Sequence, residues 1–151
     1  MTIEPRTEAV LEDWLELRRS LWPEPSAGSH RVDIRDLLDR SDSVAFLARD
    51  DDGRAIGLAE AALRHDYVNG CETSPVGFLE GIYVVSDQRS RGVARALCAA
   101  VEAWARASGC SELASDTGLT NTASQRAHAA MGFEETERVI YYRKRLRKAW
   151  R

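Results

Sequence analysis

At 151 residues the chain fits one domain, and 44% hydrophobic against 30% charged residues is a globular mixture that buries roughly two thirds of its unfolded surface without disulfides. No apolar run is long enough to cross a bilayer, and the first five residues lack the basic end and apolar stretch of a secretory signal, so no membrane association or export is expected. Six of the 21 basic residues (Arg143, Lys144, Arg145, Arg147, Lys148 and Arg151) crowd the end, leaving 15 against 24 acids, a body at −9 that attracts cations and disfavours nucleic acid.

Residues 2–4 read as a short first strand. Thr7 can then cap a helix whose apolar face carries Val10, Trp14, Leu17 and Leu21 at helical spacing, ended by Pro23 and Pro25. A second helix is expected over residues 29–40. Residues 43–49 and 56–63 read as a hairpin around the Asp50-Asp51-Asp52-Gly53 turn, and residues 65–75 as a polar loop. Residues 76–85 form the most strand-like stretch, where strict alternation puts Phe78, Glu80, Ile82 and Val84 on one face.

Residues 91–108 predict a strong helix with a buried stripe of Val93, Leu97, Val101 and Trp104, ended by Gly109. A short strand over residues 112–116 follows, then a fourth helix capped by Asn121 and reaching Met131. Gly132-Phe133 turns the chain into a final strand pair, with the last strand near residues 137–146. The order describes a mixed α/β single domain over residues 1–151, with a parallel crossover around the helix that starts near Arg91. The basic end reads as a solvated strand end, since Trp150 alone makes no aromatic platform.

Cys71, Cys98 and Cys110 are odd in number and lack metal-type spacing, which fits bystander thiols in a reducing compartment such as the cytoplasm and no metal site. The segment from Val84 to Ala94 joins the best strand to the best helix. Free amides at the helix start, the helix dipole, Gly92 and the charges of Arg89 and Arg91 read as an anion site, or equally as a basic turn that caps a helix. Ser124 and His128 lie four apart on one helix face, and a lone histidine there is more often structural than catalytic. Glu80 inside an apolar strand needs a partner or a task, either a structural ion pair or function.

Two spacings carry a family resemblance. Arg89-x-x-Gly92-x-Ala94 matches Gln/Arg-x-x-Gly-x-Gly/Ala, and Asn121, Ser124, Gly132 and Phe133 match a later signature, with His128 where many members have Tyr. On these motifs and the element order over residues 3–146, the chain resembles the GCN5-related N-acetyltransferase (GNAT) superfamily, a mixed, mostly antiparallel sheet with a central parallel pair flanked by helices. The resemblance implies acetyl-coenzyme A as co-substrate, its pyrophosphate on the backbone of Arg89, Ser90, Arg91, Gly92, Val93 and Ala94. It also implies a pantetheine arm along Ile82, Tyr83 and Val84 and a contact from Asn121.

A narrower resemblance runs through Asp13-Trp14-Leu15-x-Leu17-Arg18, Tyr67-Val68-Asn69-Gly70, Phe78-Leu79-Glu80-Gly81-Ile82, Ala114-Ser115-Asp116 and Gly132-Phe133-x-Glu135-Thr136-Glu137. These segments are similar to aminoglycoside 6′-N-acetyltransferases that form strand-exchanged homodimers. The implied acceptor is a polycationic antibiotic, met by Trp22, Tyr67, Glu80, Asp116 and Glu137, with the last of these near the partner's site. Direct attack of the amine on the thioester is expected, with Glu80 as base and Asp116 second. His128 is a candidate acid beside Tyr141 and Tyr142. Acetylation of another small amine or a protein N-terminus, and acetyl-CoA binding without catalysis, are the competing readings.

Overall fold

Among the described residues the alternating and helical hydrophobic periods resolve into five strands and four α-helices. The computed structural model describes residues 1–149, so Trp150 and Arg151 of the basic end lie outside the described residues. In chain order come β1 (Thr2–Pro5), α1 (Leu11–Leu21), α2 (Ala27–Asp39), β2 (Ser43–Arg49), β3 (Ala55–Arg64), β4 (Val76–Val84), α3 (Val93–Ala107), β5 (Leu113–Ser115) and α4 (Thr122–Ala130). The strands lie side by side in sequence order, antiparallel except for the β4–β5 pair. The mixed α/β class and the parallel crossover through α3 agree with the sequence reading.

The sheet buries an apolar layer on each face. Leu11, Trp14, Leu15 and Leu17 of α1 and Ile34 of α2 meet Ala45, Leu47 and Leu58. On the other face Val93, Leu97 and Val101 of α3 meet Ile56, Ala59, Ala61 and Leu79. Trp104 of the expected α3 stripe is only half-buried, and Ala105 takes the next buried position.

Helix starts differ from the expectation for local reasons. Thr7 makes no side-chain cap; one 3-10 turn, Glu8–Val10, comes first and α1 begins at Leu11. Ser26 Oγ accepts the Ser29 amide at 3.1 Å, so α2 starts at Ala27 rather than Ser29. Gly92 has φ +82°, a left-handed conformation no helix interior contains, so α3 starts at Val93 and not at Arg91.

Two larger corrections concern strands. Glu60 pairs with Gly81 and Ala61 with Leu79, so Glu80 is the extra residue of a β-bulge in β4. The bulge resets the alternation: Ile82 and Val84 pack with Leu79 on the α3 face, while Glu80 turns to the α1–α2 face. The final strand pair is absent from the single chain. Residues 134–149 form no strand and make no backbone hydrogen bond to the sheet among the described residues. Ile140, Tyr141, Tyr142 and Leu146 are between 76% and 90% exposed there, because a strand forms only against a neighbour that takes its backbone groups.

Candidate active site

The turn between β4 and α3 presents a row of unpaired amides. No backbone carbonyl accepts from residues 89–92 among the described residues, and the first α3 bond runs from Ala96 N to Gly92 O at 3.0 Å. The amides of Val93, Ala94 and Arg95 are therefore free as well, at the positive end of a 15-residue helix. Ser90 at φ 62° and Gly92 at φ +82° bend the chain through two left-handed residues just before the helix, the kind of turn that can form an anion-binding nest. Arg54 clamps the start of the turn through two bonds to Asp87, at 2.9 and 3.2 Å, and holds the Asp87 carboxyl below its usual range. Arg89 folds back on Val84 O at 2.9 Å and over the Tyr83 ring, while Arg91 is exposed.

The lower half of β4 has one free edge. Ile82, Tyr83 and Val84 pair with Ala59, Leu58 and Gly57 of β3, but the β5 ladder ends at Leu79 and Ser115. Beyond that point β4 faces no strand on its β5 side among the described residues. An anionic diphosphate on the turn and an extended, amide-bearing arm along this edge fit the donors and acceptors present.

A cleft of about 480 Å³ opens on the α1–α2 face beside the bulge, lined by Arg18, Trp22, His30, Asp33, Glu60 and Glu80 among others. Trp22 and Glu80, two of the predicted site residues, thus share one wall. The Trp22 ring lies so close to Gly81 that a Cβ there would stand 2.6 Å from it, so residue 81 must be glycine for the ring to reach the strand. Glu80 is paired with Arg64 at 2.8 and 3.1 Å, and that guanidinium sits 4.1 Å over the Phe78 ring. Asp116 follows Ser115 as Glu80 follows Leu79, so two carboxylates leave the end of the ladder on adjacent strands.

His128 is tied on both sides. Nδ1 lies 2.7 Å from the Ser124 carbonyl, which can only accept, so Nδ1 carries hydrogen. Nε2 lies 2.8 Å from Ser115 Oγ, which is also 3.2 Å from Leu79 O. The ring reaches the end of the β4–β5 ladder only through Ser115. Asn121 caps α4, its Oδ1 accepting the Ser124 amide at 3.1 Å, and keeps its side-chain NH2 free for a ligand.

Tyr67 and Glu137 are not brought into the cleft. Tyr67 is 74% exposed on the 65–75 loop. Glu112 anchors that loop through the amides of Glu72 and Thr73 and the Thr73 hydroxyl, which keeps its own carboxyl below the usual range. Glu137 is exposed in the C-terminal segment, next to Thr136, which packs on Gly70 of the same loop. Tyr141 and Tyr142 are exposed further along.

Burial pushes the Cys98 thiol up to about 11 and raises Cys71 and Cys110, so none is prepared as a nucleophile. Among the described residues no cluster of His, Cys, Asp or Glu has metal-binding geometry, and no helix is long and apolar enough to cross a membrane. The sequence reading did not single out His30, Glu60, Ser115 or the buried Arg18. Glu60 was open to the argument made for Glu80, a carboxylate within an apolar strand, and Arg18 stands four residues after Trp14 on the core-facing stripe.

The model of the acetyltransferase (GNAT) family matches residues 11–133. A Serratia marcescens protein named aminoglycoside N(6′)-acetyltransferase type 1 is 55% identical over 136 residues, 90% of this chain and 93% of the relative. The solved structure of aminoglycoside N-acetyltransferase AAC(6′)-Iy in complex with CoA superposes with a TM-score of 0.93 at 51% identity, over 96% of this chain and 95% of that one. The same enzyme in complex with the bisubstrate analogue CoA-S-monomethyl-acetylneamine gives 0.90 at 50% identity, over 97% and 100%. On the motif-bearing turn, the open strand edge and these matches, this chain belongs to the acetyltransferase (GNAT) family.

Proposed function

We propose that this protein transfers the acetyl group of acetyl-coenzyme A to the 6′-amino group of aminoglycoside antibiotics, by direct attack of the amine on the thioester. The observation that carries this reading is the 55% identity, across 90% of the chain, to a relative named for that activity. The geometry supports it: an amide-rich turn and a free strand edge meet a cleft walled by an aromatic ring and a carboxylate.

The amides of Arg89, Ser90, Arg91, Gly92, Val93 and Ala94 hold the donor's pyrophosphate. The edge of Ile82, Tyr83 and Val84 orders its amide-bearing arm, with Asn121 near the thioester end. Trp22 walls a sugar ring and Glu80, with Asp116 beyond the ladder end, meets its hydroxyl and ammonium groups. Tyr67 and Glu137, both outside the cleft in the single chain, reach the substrate from the exposed loop and from the exchanged strand of the partner copy.

Glu80, directly or through water, removes the proton that keeps the 6′-nitrogen cationic, and Asp116 assists across the ladder end. The exposed Arg64–Glu80 pair is worth at most about 1 kcal/mol, so a polycation displaces Arg64 at little cost. The nitrogen then bonds to the acetyl carbon, the C–S bond breaks, and its electron pair stays on sulfur. In its cationic form His128 donates from Nε2 to Ser115 Oγ, whose own hydrogen passes to the sulfur, leaving the ring neutral with its hydrogen on Nδ1. With all three thiols held protonated, no acyl-enzyme intervenes.

The enzyme works in the cytoplasm, in keeping with its three free thiols, as a single-domain chain that exchanges its last strand, about residues 137–146, within a homodimer. Exposed apolar side chains on an unpaired segment support that assembly. The test is coenzyme A release with kanamycin as acceptor, followed by mapping of the modified nitrogen. Acetylation at the 6′-nitrogen is expected; no release of coenzyme A, or acetylation at another nitrogen, refutes the assignment.

A further inference from the structure

A buried polar network stands behind Trp22. Arg18, in the last turn of α1, donates from Nε to Glu60 Oε2 at 2.8 Å and from Nη1 to His30 Nδ1 at 2.9 Å and Asp33 Oδ2 at 3.0 Å. Trp14 Nε1 donates to the same Glu60 oxygen at 2.9 Å. His30 Nε2 lies 2.9 Å from the Trp22 carbonyl, and the Arg18 guanidinium sits 4.8 Å from the centre of the Trp22 ring. Arg18, His30 and Glu60 are 9%, 0% and 4% exposed and line the cleft with Trp22, while Asp33 is the network's half-exposed member.

Donor accounting determines the histidine's tautomer. A guanidinium only donates and a carbonyl only accepts, so His30 Nδ1 is the acceptor and Nε2 carries the hydrogen. The Trp22 carbonyl belongs to the C-terminal end of α1, where carbonyls have no intrahelical partner, and His30 fills that vacancy from α2. Trp22 is thereby held by its carbonyl, by one ring face and by its contact with Gly81.

A buried ion pair is a poor source of stability, since apolar side chains of the same volume serve as well. Its better-attested use is to specify one arrangement over others. Here two branches converge on the residue that walls the cleft beside Glu80: Arg18 lies over the Trp22 ring and His30 holds its carbonyl.

We propose that His30 and Arg18 are positioning residues for the acceptor: they hold Trp22 in the cleft wall and so set aminoglycoside affinity, without acting on the acetyl donor or the chemical step. This rests on the reading that the cleft receives the aminoglycoside. Leucine at position 30 removes both ring contacts. Glutamine keeps a donor for Trp22 O and an acceptor for Arg18.

The experiment uses the full chain and kanamycin. Kd is measured by calorimetry without donor, and kcat and both KM values by coenzyme A release. His30→Leu is expected to raise kanamycin Kd and KM about tenfold, the effect of losing roughly one buried hydrogen bond. The acetyl-CoA KM and kcat should stay within about twofold, and His30→Gln should restore kanamycin binding. Trp22→Ala combined with His30→Leu should bind no worse than Trp22→Ala alone, because the histidine acts through that ring.

A folded His30→Leu protein with unchanged kanamycin Kd, or additive effects in the double variant, overturns the proposal. Should His30→Leu not fold, Arg18→Lys carries the same expectation, since it keeps the charge at Glu60 and gives up the His30 and Trp22 contacts. Wild-type protein that neither binds nor acetylates kanamycin refutes the reading of the cleft itself; wild-type protein that does both, beside unshifted variants, refutes only the positioning role.

Discussion

Glu80 and Glu60 are two carboxylates in apolar strands with opposite fates. Glu80 is the extra residue of the β4 bulge, so its side chain leaves the pleat and faces the cleft with only the exposed Arg64 as partner. Glu60, opposite the bulge on β3, keeps its regular pairing with Ala45 of β2 and is sealed under α1 by Arg18 and Trp14. A weakly held carboxylate at a cleft can take a proton, whereas one locked by two donors cannot do so without breaking them. Glu80→Gln is therefore expected to lower single-turnover acetyl transfer about 100-fold or more, the usual size of a lost general base, while acetyl-CoA binding by calorimetry stays unchanged. Transfer within a few-fold of wild type would remove Glu80 from the chemistry. Composition and local pattern marked Glu80 as unusual but not which face it takes, because one inserted residue moves every later side chain to the other side of the sheet.

The turn into α3 was the most legible element in shape, because its path depends on backbone conformations that a few residue types permit. Gly92 sits at φ +82° with no atom within 4 Å of where a Cβ would stand. A substitution there is opposed by backbone strain of about 1–3 kcal/mol, not by a clash. Gly92→Val is expected to close or twist the turn, raising the acetyl-CoA KM about tenfold or more and leaving the kanamycin Kd of the free enzyme unchanged; an unaltered acetyl-CoA KM would show that the turn does not hold the donor. Other elements were legible in kind but not in extent. Asn121 caps α4 as its spacing implies. The starts of α1 and α2 moved by a few residues, since Thr7, Ser26 and Ser29 are all acceptable caps and only the chain's path selects among them.

At the scale of the whole molecule, the single chain leaves its sheet unfinished. Residues 134–149 carry β-branched and aromatic side chains typical of a strand, yet Val139, Ile140, Tyr141 and Tyr142 are exposed and unpaired. If a second copy supplies the missing neighbour, sedimentation at micromolar concentration gives a dimer. Ile140→Asp with Tyr142→Asp should then yield a monomer with most of its transfer activity lost, because Glu137 no longer reaches the partner's site. A wild-type monomer with full activity would overturn the exchange. The sequence by itself determined the class of fold, the glycine-bearing turn into α3 and the presence of a carboxylate within β4, since each depends on residue types a few positions apart. Only the tertiary structure decided that Glu80 is bulged into a cleft with Trp22, that Arg18, His30 and Glu60 close behind that ring, and that residues 134–149 find no strand partner among the described residues. Those contacts join residues from separate elements, and what selects them is the packing of one element on another rather than any local preference of the chain.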